Sequence, residues 1–156
     1  MAETSRGRST PEGQSGAGGL DSRLLTLVAA TVHRQINTAL GAEELSVEQW
    51  SVLDHLDRGG PCTMSALAAA TGINGATLTR IADRLVSRAL IYRSADSGDR
   101  RRVLVHLSER GKTTTQRVRP LILDAEDRVA EPLSPTERGE LTHLLQRIST
   151  LGATTG

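Results

Sequence analysis

The chain has 156 residues, enough for one domain with a buried core, and its formal net charge is +1. It contains no Phe, one Trp and one Tyr, which argues against the aromatic stacking platforms that hold single strands or RNA. No apolar run approaches the ~20 residues of a membrane helix, and the N-terminus lacks an apolar signal segment, so we expect a soluble, cytoplasmic protein.

The first 40 residues divide into a polar tail and a helix. Residues 1–19 are rich in Gly, Ser, Thr and Pro, with almost nothing apolar, which predicts a disordered tail. Asp21 or Ser22 then caps a first helix that ends at Leu40, where we expect Gly41 to supply a left-handed stop. The apolar residues of this helix lie on more than one face, so something besides the local core should cover it.

Two helices separated by a sharp turn follow. Residues 46–49 form an S-x-x-Q capping box that opens the second helix, and residues 59–61, Gly-Gly-Pro, end it. Thr63 caps a short third helix that runs to Thr71, and Gly72 breaks it. A further helix starts two residues after Gly72. The third helix, the glycine turn and this next helix follow the order that is typical of a helix-turn-helix.

A fourth helix begins at Asn74, whose side chain caps it. Its apolar residues share one stripe, namely Leu78, Ile81, Ala82, Leu85 and Ala89. The opposite side carries small residues, hydroxyls, arginines and one carboxylate: Ala76, Thr77, Thr79, Arg80, Asp83, Arg84 and Ser87. A slim face of this composition suits the major groove of DNA. Taken alone, the same pattern is more typical of a solvated amphipathic helix.

The next segment predicts a β-hairpin with a basic tip. Residues 90–93 and 103–107 are short β-type runs, and a turn-rich segment separates them. The tip carries Arg100, Arg101 and Arg102, and a minor groove attracts guanidinium groups through its negative potential. An arginine cluster by itself is usually a solvated turn, but directly after a helix of this kind it indicates a wing.

Two further helices complete the chain. Ser108 caps a fifth helix that runs to about Glu131, and Pro120 should kink or break it. A capping box at residues 134–137, with Pro135 at the first helical position, opens a sixth. The apolar faces of the first, fifth and sixth helices exceed what one small domain can bury, which predicts a second subunit. The candidate interface residues are Leu24, Leu27, Val28, Leu121, Leu141, Leu144, Leu145 and Ile148.

This order of elements resembles the MarR family of bacterial winged-helix transcription regulators, over roughly residues 20–151. The resemblance rests on LSVEQWSVLDHL, MSALAAATGINGATLTRIADRLVSRALIYR and DSGDRRRVLVHLSERGK, the last of which resembles the family's D-x-x-D-R-R and L-T-x-x-G pattern. It implies a mainly α fold with a small β-hairpin wing. A winged helix-turn-helix at residues 46–108 would lie between a dimerisation helix at 20–45 and C-terminal dimerisation helices at 109–156.

The resemblance also implies a function, that of a homodimeric, sequence-specific regulator of transcription on a pseudo-palindromic operator, most simply a ligand-relieved repressor. By position, Arg101 resembles the minor-groove arginine and Asp99 the carboxylate that orients it, although Arg100 fits the arginine's role nearly as well. Thr77, Thr79 and Arg80 resemble the major-groove readers, with Arg84 and Arg100 at phosphates. The predicted DNA contacts are Asn74, Ala76, Thr77, Thr79, Arg80, Arg84, Asp99, Arg100, Arg101 and Arg102.

Three positions depart from the family pattern, and the first is Pro120, which affects the geometry of the fifth helix and of the dimer it would help to form. Ala89 stands where the family usually has Gly before the wing, so either the helix ends differently or a non-Gly residue adopts a positive φ at a cost of about 1 kcal/mol. Arg102 adds a charge where a small residue is common, which we expect to strengthen nonspecific binding.

Sensing is the least defined part of the sequence. Family members commonly respond to a small aromatic or anionic effector or to cysteine oxidation. His33, Trp50 and His55 are candidate ligand contacts, although such residues on a partly apolar helix more often serve packing. Cys62, the single cysteine, supports an alternative as a thiol-based redox sensor, and a further alternative is a winged-helix module that docks a protein. We expect no enzyme, metal or cofactor, because no catalytic motif or metal-ligand spacing is present.

Overall fold

The computed structural model describes the backbone of residues 19–152 and the side chains of residues 19–150. The predicted tail at residues 1–19 therefore lies outside the described residues, apart from Gly19. Within the described part the elements are α1 Ser22–Leu40, a 3₁₀ turn Gly41–Glu43, α2 Val47–Gly59, β1 Cys62–Thr63, α3 Met64–Thr71, α4 Gly75–Ser87, β2 Ile91–Ala95, β3 Val103–Leu107, α5 Glu109–Ala130 and α6 Pro135–Gly152. The predicted mainly α fold with a β wing is confirmed.

Side-chain caps define where the helices begin. The carboxylate of Asp21 accepts hydrogen bonds from the N–H groups of Arg23 and Leu24 at the start of α1. Asn74 Oδ1 accepts from the N–H of Thr77 at 2.9 Å at the start of α4. The predicted capping box of α2 is also present, since Ser46 and Gln49 bond reciprocally. Each cap satisfies donors that the first turn of a helix leaves unpaired.

The end of α1 differs from the prediction. Gly41 has φ −57° and ψ −37°, which is right-handed helical backbone, so the predicted left-handed stop is wrong. The chain instead tightens into the 3₁₀ turn, and the left-handed residue is Glu44, at φ 52°. This longer exit allows Leu40 and Leu45, on either side of the turn, both to reach the core.

The sheet has three antiparallel strands in the order β1-β3-β2. Tyr92 lies opposite His106 in the predicted hairpin, and Cys62 lies opposite Val105. The hairpin is therefore confirmed, but the sequence did not predict β1, because a two-residue strand carries no periodic pattern. The sheet ties the segment before α3 to the base of the wing.

The core is aliphatic. Trp50 is the one aromatic residue among the buried side chains of the described chain, which otherwise include Leu53, Leu67, Leu78 and Val105. Within α4, the predicted stripe supplies Leu78, Ala82 and Leu85 to this core, with Ile81 half-buried. Ala89 does not belong to the stripe: α4 ends at Ser87, and Ala89 is exposed with φ 55°.

Pro120 lies inside α5, which is one helix in the structure, so the helix does not break at this residue, and the alternative of a kink stays a prediction. A proline removes one hydrogen bond to the carbonyl four residues earlier, here that of Gln116. Both residues are exposed, so water can satisfy that carbonyl. Val118 and Ile122, on the inner side, are buried and hold the helix in place.

The junction between the wing and α5 is unusually close. Ser108 Oγ donates to the carbonyl oxygens of Ala89 and Leu90, at 2.7 and 3.0 Å, and accepts from the N–H of Gly111. A Cβ atom at Gly111 would lie 2.1 Å from the Leu90 carbonyl oxygen, which is well inside van der Waals contact. Only glycine fits there, and the first turn of α5 is thereby fixed against the exit from α4.

The positive φ of Ala89 leads to a stability prediction. The left-handed region costs a non-glycine residue about 1–2 kcal/mol, while glycine loses about 0.5–1 kcal/mol more than alanine in conformational freedom on folding. We therefore expect Ala89→Gly to raise the free energy of unfolding by up to about 1 kcal/mol, as measured by urea denaturation.

The control for this prediction is Ala69→Gly, an exposed position inside α3. Glycine in a helix interior should lower stability by about 1 kcal/mol. Destabilisation of similar size in both variants would contradict the assignment of strain to Ala89.

Candidate nucleic-acid interface

The outer face of α4 is the first part of the site. Ala76, Thr77, Thr79, Arg80 and Arg84 are exposed on the side opposite the buried stripe, as predicted. The small side chains of Ala76, Thr77 and Thr79 leave the backbone of α4 accessible. Arg80 and Arg84 lie within the first three turns of the helix. This is the arrangement with which a helix enters a major groove.

Some polar groups of this face also have structural roles. The side-chain oxygen Oδ1 of Asn74 caps α4, and the Thr79 hydroxyl donates to the carbonyl of Gly75 at 2.9 Å. Asp83 pairs with Arg93 on β2 at 2.9 Å, a contact that the sequence did not predict. This pair neutralises the one carboxylate of the face and joins α4 to the wing.

The wing tip is shaped by its two carboxylates. Asp96 Oδ1 accepts from the N–H of Gly98, and Asp99 Oδ1 accepts from the backbone N–H of Arg101 at 3.0 Å. The carbonyl of Asp99 also accepts from the N–H of Arg102. Asp99 therefore contacts the backbone of Arg101, and its predicted role of orienting the guanidinium stays a prediction.

Five arginines of the site are free. Among the described residues, no ion-pair or hydrogen-bond partner is present for the guanidinium groups of Arg80, Arg84, Arg100, Arg101 and Arg102. By contrast, Arg93, Arg117 and Arg119 each pair with a carboxylate. Unpaired guanidinium groups on a helix face and an adjacent hairpin tip attract a polyanion and offer its phosphates charge-assisted hydrogen bonds.

An open groove of about 620 Å³ lies beside the outer face of α4. Its walls include Ser46 and Gln49 at the start of α2, and Thr77, Arg80 and Arg84 on α4. The groove places the N-terminus of α2, where helix dipoles favour negative charge, next to two free arginines. Sequence reasoning did not predict this contribution of α2.

The candidate ligand contacts separate into two places. Trp50 and His55 line a cleft of about 310 Å³ between α2 and α3, together with Arg58. His33 is exposed on α1 and does not line this cleft. Trp50 is buried, with 7% of the residue exposed, and the Arg119 guanidinium lies 5.9 Å from the centroid of its ring. Arg119 was not predicted, because it lies on α5, far away in the sequence.

Cys62 is half-buried in β1. Burial raises the pKa of its thiol, so less of the reactive thiolate is present at neutral pH. This environment is typical of a structural cysteine.

The predicted interface residues form an uncovered apolar surface on α1, α5 and α6. Leu24, Leu27, Val28, Leu121, Leu141, Leu144, Leu145 and Ile148 are all exposed in the isolated chain, by 42–62%. A cleft of about 570 Å³, lined mainly by apolar side chains of these three helices, runs through this surface. Exposed apolar area of this extent is typical of a protein-protein interface.

Taken together, these elements define a winged helix-turn-helix DNA-binding protein. None of the helices in residues 19–152 is long and apolar enough to span a membrane. Over the same range, no three His, Cys, Asp or Glu side chains come together as metal ligands.

Known proteins support this class. The sequence profile of the MarR family matches residues 44–102. The HTH-type transcriptional repressor NicR of Pseudomonas putida is 31% identical over 105 residues, which is 67% of this chain and 66% of NicR, just under two thirds of its length. The HTH-type transcriptional regulator PecS of Dickeya dadantii is 30% identical, over 80% of this chain and 76% of PecS.

Solved structures agree with the sequence relatives. BpsR of Bordetella bronchiseptica superposes with a TM-score of 0.74 at 28% identity, and the match covers 81% of this chain and 96% of BpsR. The BpsR structure concerns the regulation of its DNA binding by 6-hydroxynicotinic acid. A mutant of Escherichia coli MarR complexed with operator DNA gives 0.74 at 27% identity, covering 81% and 91%. The chain belongs to the MarR family of winged helix-turn-helix transcription regulators.

Arg101, one of the three free arginines at the wing tip, gives a direct test of the site. We expect Arg101→Ala to weaken binding to a DNA duplex selected by the wild-type protein by about 10- to 100-fold, the value of a hydrogen bond to a charged group. Fluorescence anisotropy of a labelled duplex measures the change. The control is Arg128→Ala, which removes the same charge from an arginine that pairs with Asp124 on α5. Wild-type affinity in Arg101→Ala would contradict the wing assignment.

Proposed function

We propose that this protein is a homodimeric repressor that binds a pseudo-palindromic operator and is released from it by a small aromatic or anionic effector. The observation that carries this proposal is the set of free arginines on α4 and the wing, Arg80, Arg84 and Arg100 to Arg102. Each copy of α4 would enter a major groove, and each wing the adjacent minor groove. Within this proposal, Arg80 with Thr77 and Thr79 reads bases, and the protein has no enzymatic role.

Dimerisation supplies the two-fold symmetry that a pseudo-palindromic operator needs. The exposed apolar surface on α1, α5 and α6 supports this part of the proposal, because a second copy would remove it from water. It also lies on the helices at the two ends of the chain, away from the free arginines, so dimerisation would leave both DNA-reading units uncovered.

The effector is the finer part of the proposal. The cleft between α2 and α3 is lined by Trp50, His55 and Arg58, and by Asp54, which pairs with Arg58. This combination suits a small aromatic ligand that carries polar groups. That regulation of BpsR involves 6-hydroxynicotinic acid supports a ligand of this class. The raised pKa of Cys62 favours a ligand over the alternative of thiol oxidation.

The test of DNA binding is selection from random duplex DNA followed by affinity measurements at several salt concentrations. If the free arginines of two subunits neutralise about 6–10 phosphates, affinity should fall by about 10³- to 10⁵-fold between roughly 50 and 200 mM salt. A protein that docks another protein through an apolar patch would select no duplex. Failure to enrich any sequence, even at low salt, would overturn the proposal.

The test of the dimer is Leu144→Glu on α6. Burying an unpaired carboxylate in an apolar interface is costly, so we expect the variant to run as a monomer by multi-angle light scattering while its helical circular dichroism is kept. Val103→Glu is the matched control, because Val103 and Leu144 are equally exposed, at 50%, but Val103 lies on the wing. A folded dimer in Leu144→Glu would contradict the assignment of α6 to the interface.

A further inference from the structure

The 3₁₀ turn at Gly41–Glu43 is held by two arginines from distant parts of the chain. From one side, the half-buried Arg88 donates from Nη1 to the carbonyl oxygen of Glu44 at 2.8 Å and from Nη2 to that of Glu43 at 2.9 Å. One guanidinium therefore holds two consecutive carbonyls. Glu44 adopts its left-handed conformation at this point.

From the other side, Arg117 on α5 binds the side chain of Glu43. Its Nε and Nη2 donate to Oε1 and Oε2 of Glu43, both at 2.6 Å, which is the two-pronged geometry that gives an arginine-carboxylate pair its direction. These hydrogen bonds hold the pKa of the Glu43 carboxyl below its ordinary value, so the pair is charged at neutral pH.

The position of each arginine gives the turn its significance. Arg88 is the C-cap of α4, its N–H donates to the carbonyl of Arg84, and Ala89 follows it. Arg117 belongs to α5, which with α1 and α6 forms the proposed dimerisation unit, the stem. The turn thus connects the end of α4, the proposed recognition helix, to the stem through hydrogen bonds of defined direction. This connection is separate from the one that the chain itself makes through the wing.

We infer that Arg88, Glu43 and Arg117 are positioning residues that fix the direction of α4 relative to the stem and thereby set the half-site spacing that the dimer accepts. This inference rests on the proposed function. In a dimer, two copies of α4 must enter major grooves about one helical turn, ~34 Å, apart. A small rotation of α4 about the stem changes that separation, so the contacts that resist the rotation determine which operator spacings bind.

The exposure of the Glu43–Arg117 ion pair indicates whether its loss will change operator preference or the melting temperature. The side chain of Arg117 is 57% exposed and that of Glu43 20%, so water reaches the pair from the arginine side, and an ion pair in contact with water adds little to the free energy of unfolding. A purely structural role would change affinity for every operator by the same factor. A positioning role changes the preference between operators and leaves the melting temperature nearly unaltered.

The experiment uses the duplex selected by the wild-type protein, with its central spacer shortened or lengthened by one and by two base pairs. Anisotropy gives the affinity of wild type, Glu43→Gln and Arg117→Gln for each duplex. We expect both variants to reduce the preference for the original spacing by about 3- to 30-fold, the range of mutations that alter coupling between sites. The double variant should match the single variants, because both remove one interaction.

Asp124→Asn is the matched control, since it removes the same charge from an ion pair with Arg128 that lies within α5. It should leave the spacing preference unchanged. Equal loss of affinity for all spacers in Glu43→Gln and Arg117→Gln, or an unaltered profile in both, would overturn the inference. A wild-type protein that selects no duplex would instead overturn the proposed function, so the two failures are distinguishable.

Discussion

The close approach of α5 to the carbonyl of Leu90 is the constraint on which the geometry of the site depends. Gly111 makes it sterically feasible, and Ser108 fixes it with hydrogen bonds to the carbonyls of Ala89 and Leu90. The recognition helix, the wing and the stem meet within a few residues of this contact. The first turn of α5 is therefore held against the exit from α4, and the contacts of the 3₁₀ turn act further along both helices.

Among the described residues, arginines that join elements differ in their partners from arginines at the reading surface. Those that join elements, such as Arg93 and Arg119, are paired with carboxylates on α4 and α2. Those at the reading surface, such as Arg80 and Arg101, lack such partners within the described residues. Binding a phosphate therefore requires no internal ion pair to break, and the positive potential of the surface is not cancelled locally.

Local features were predictable from the sequence, and contacts between distant residues were not. Neighbours a few positions away determine the caps at Ser46 and Asn74 and the strands of the wing, so local sequence patterns predict them. The backbone of Gly41 depends on how the core receives Leu40 and Leu45, and the continuity of α5 at Pro120 depends on which side of the helix faces water. In the site, the exposed residues of α4 followed from periodicity, whereas the pairing of Glu43 with Arg117 spans 74 positions and leaves no periodic trace.

The chain has one tryptophan, and it lies where α2 meets α5. Arg119 approaches the Trp50 ring while it pairs with Asp54 and Asp57 of α2. The protein therefore carries an intrinsic fluorophore at the contact between α2, in the winged helix-turn-helix, and α5, in the stem. Because its emission comes from one position, a spectral change on adding DNA or a small molecule would report a rearrangement at that joint in the unlabelled protein.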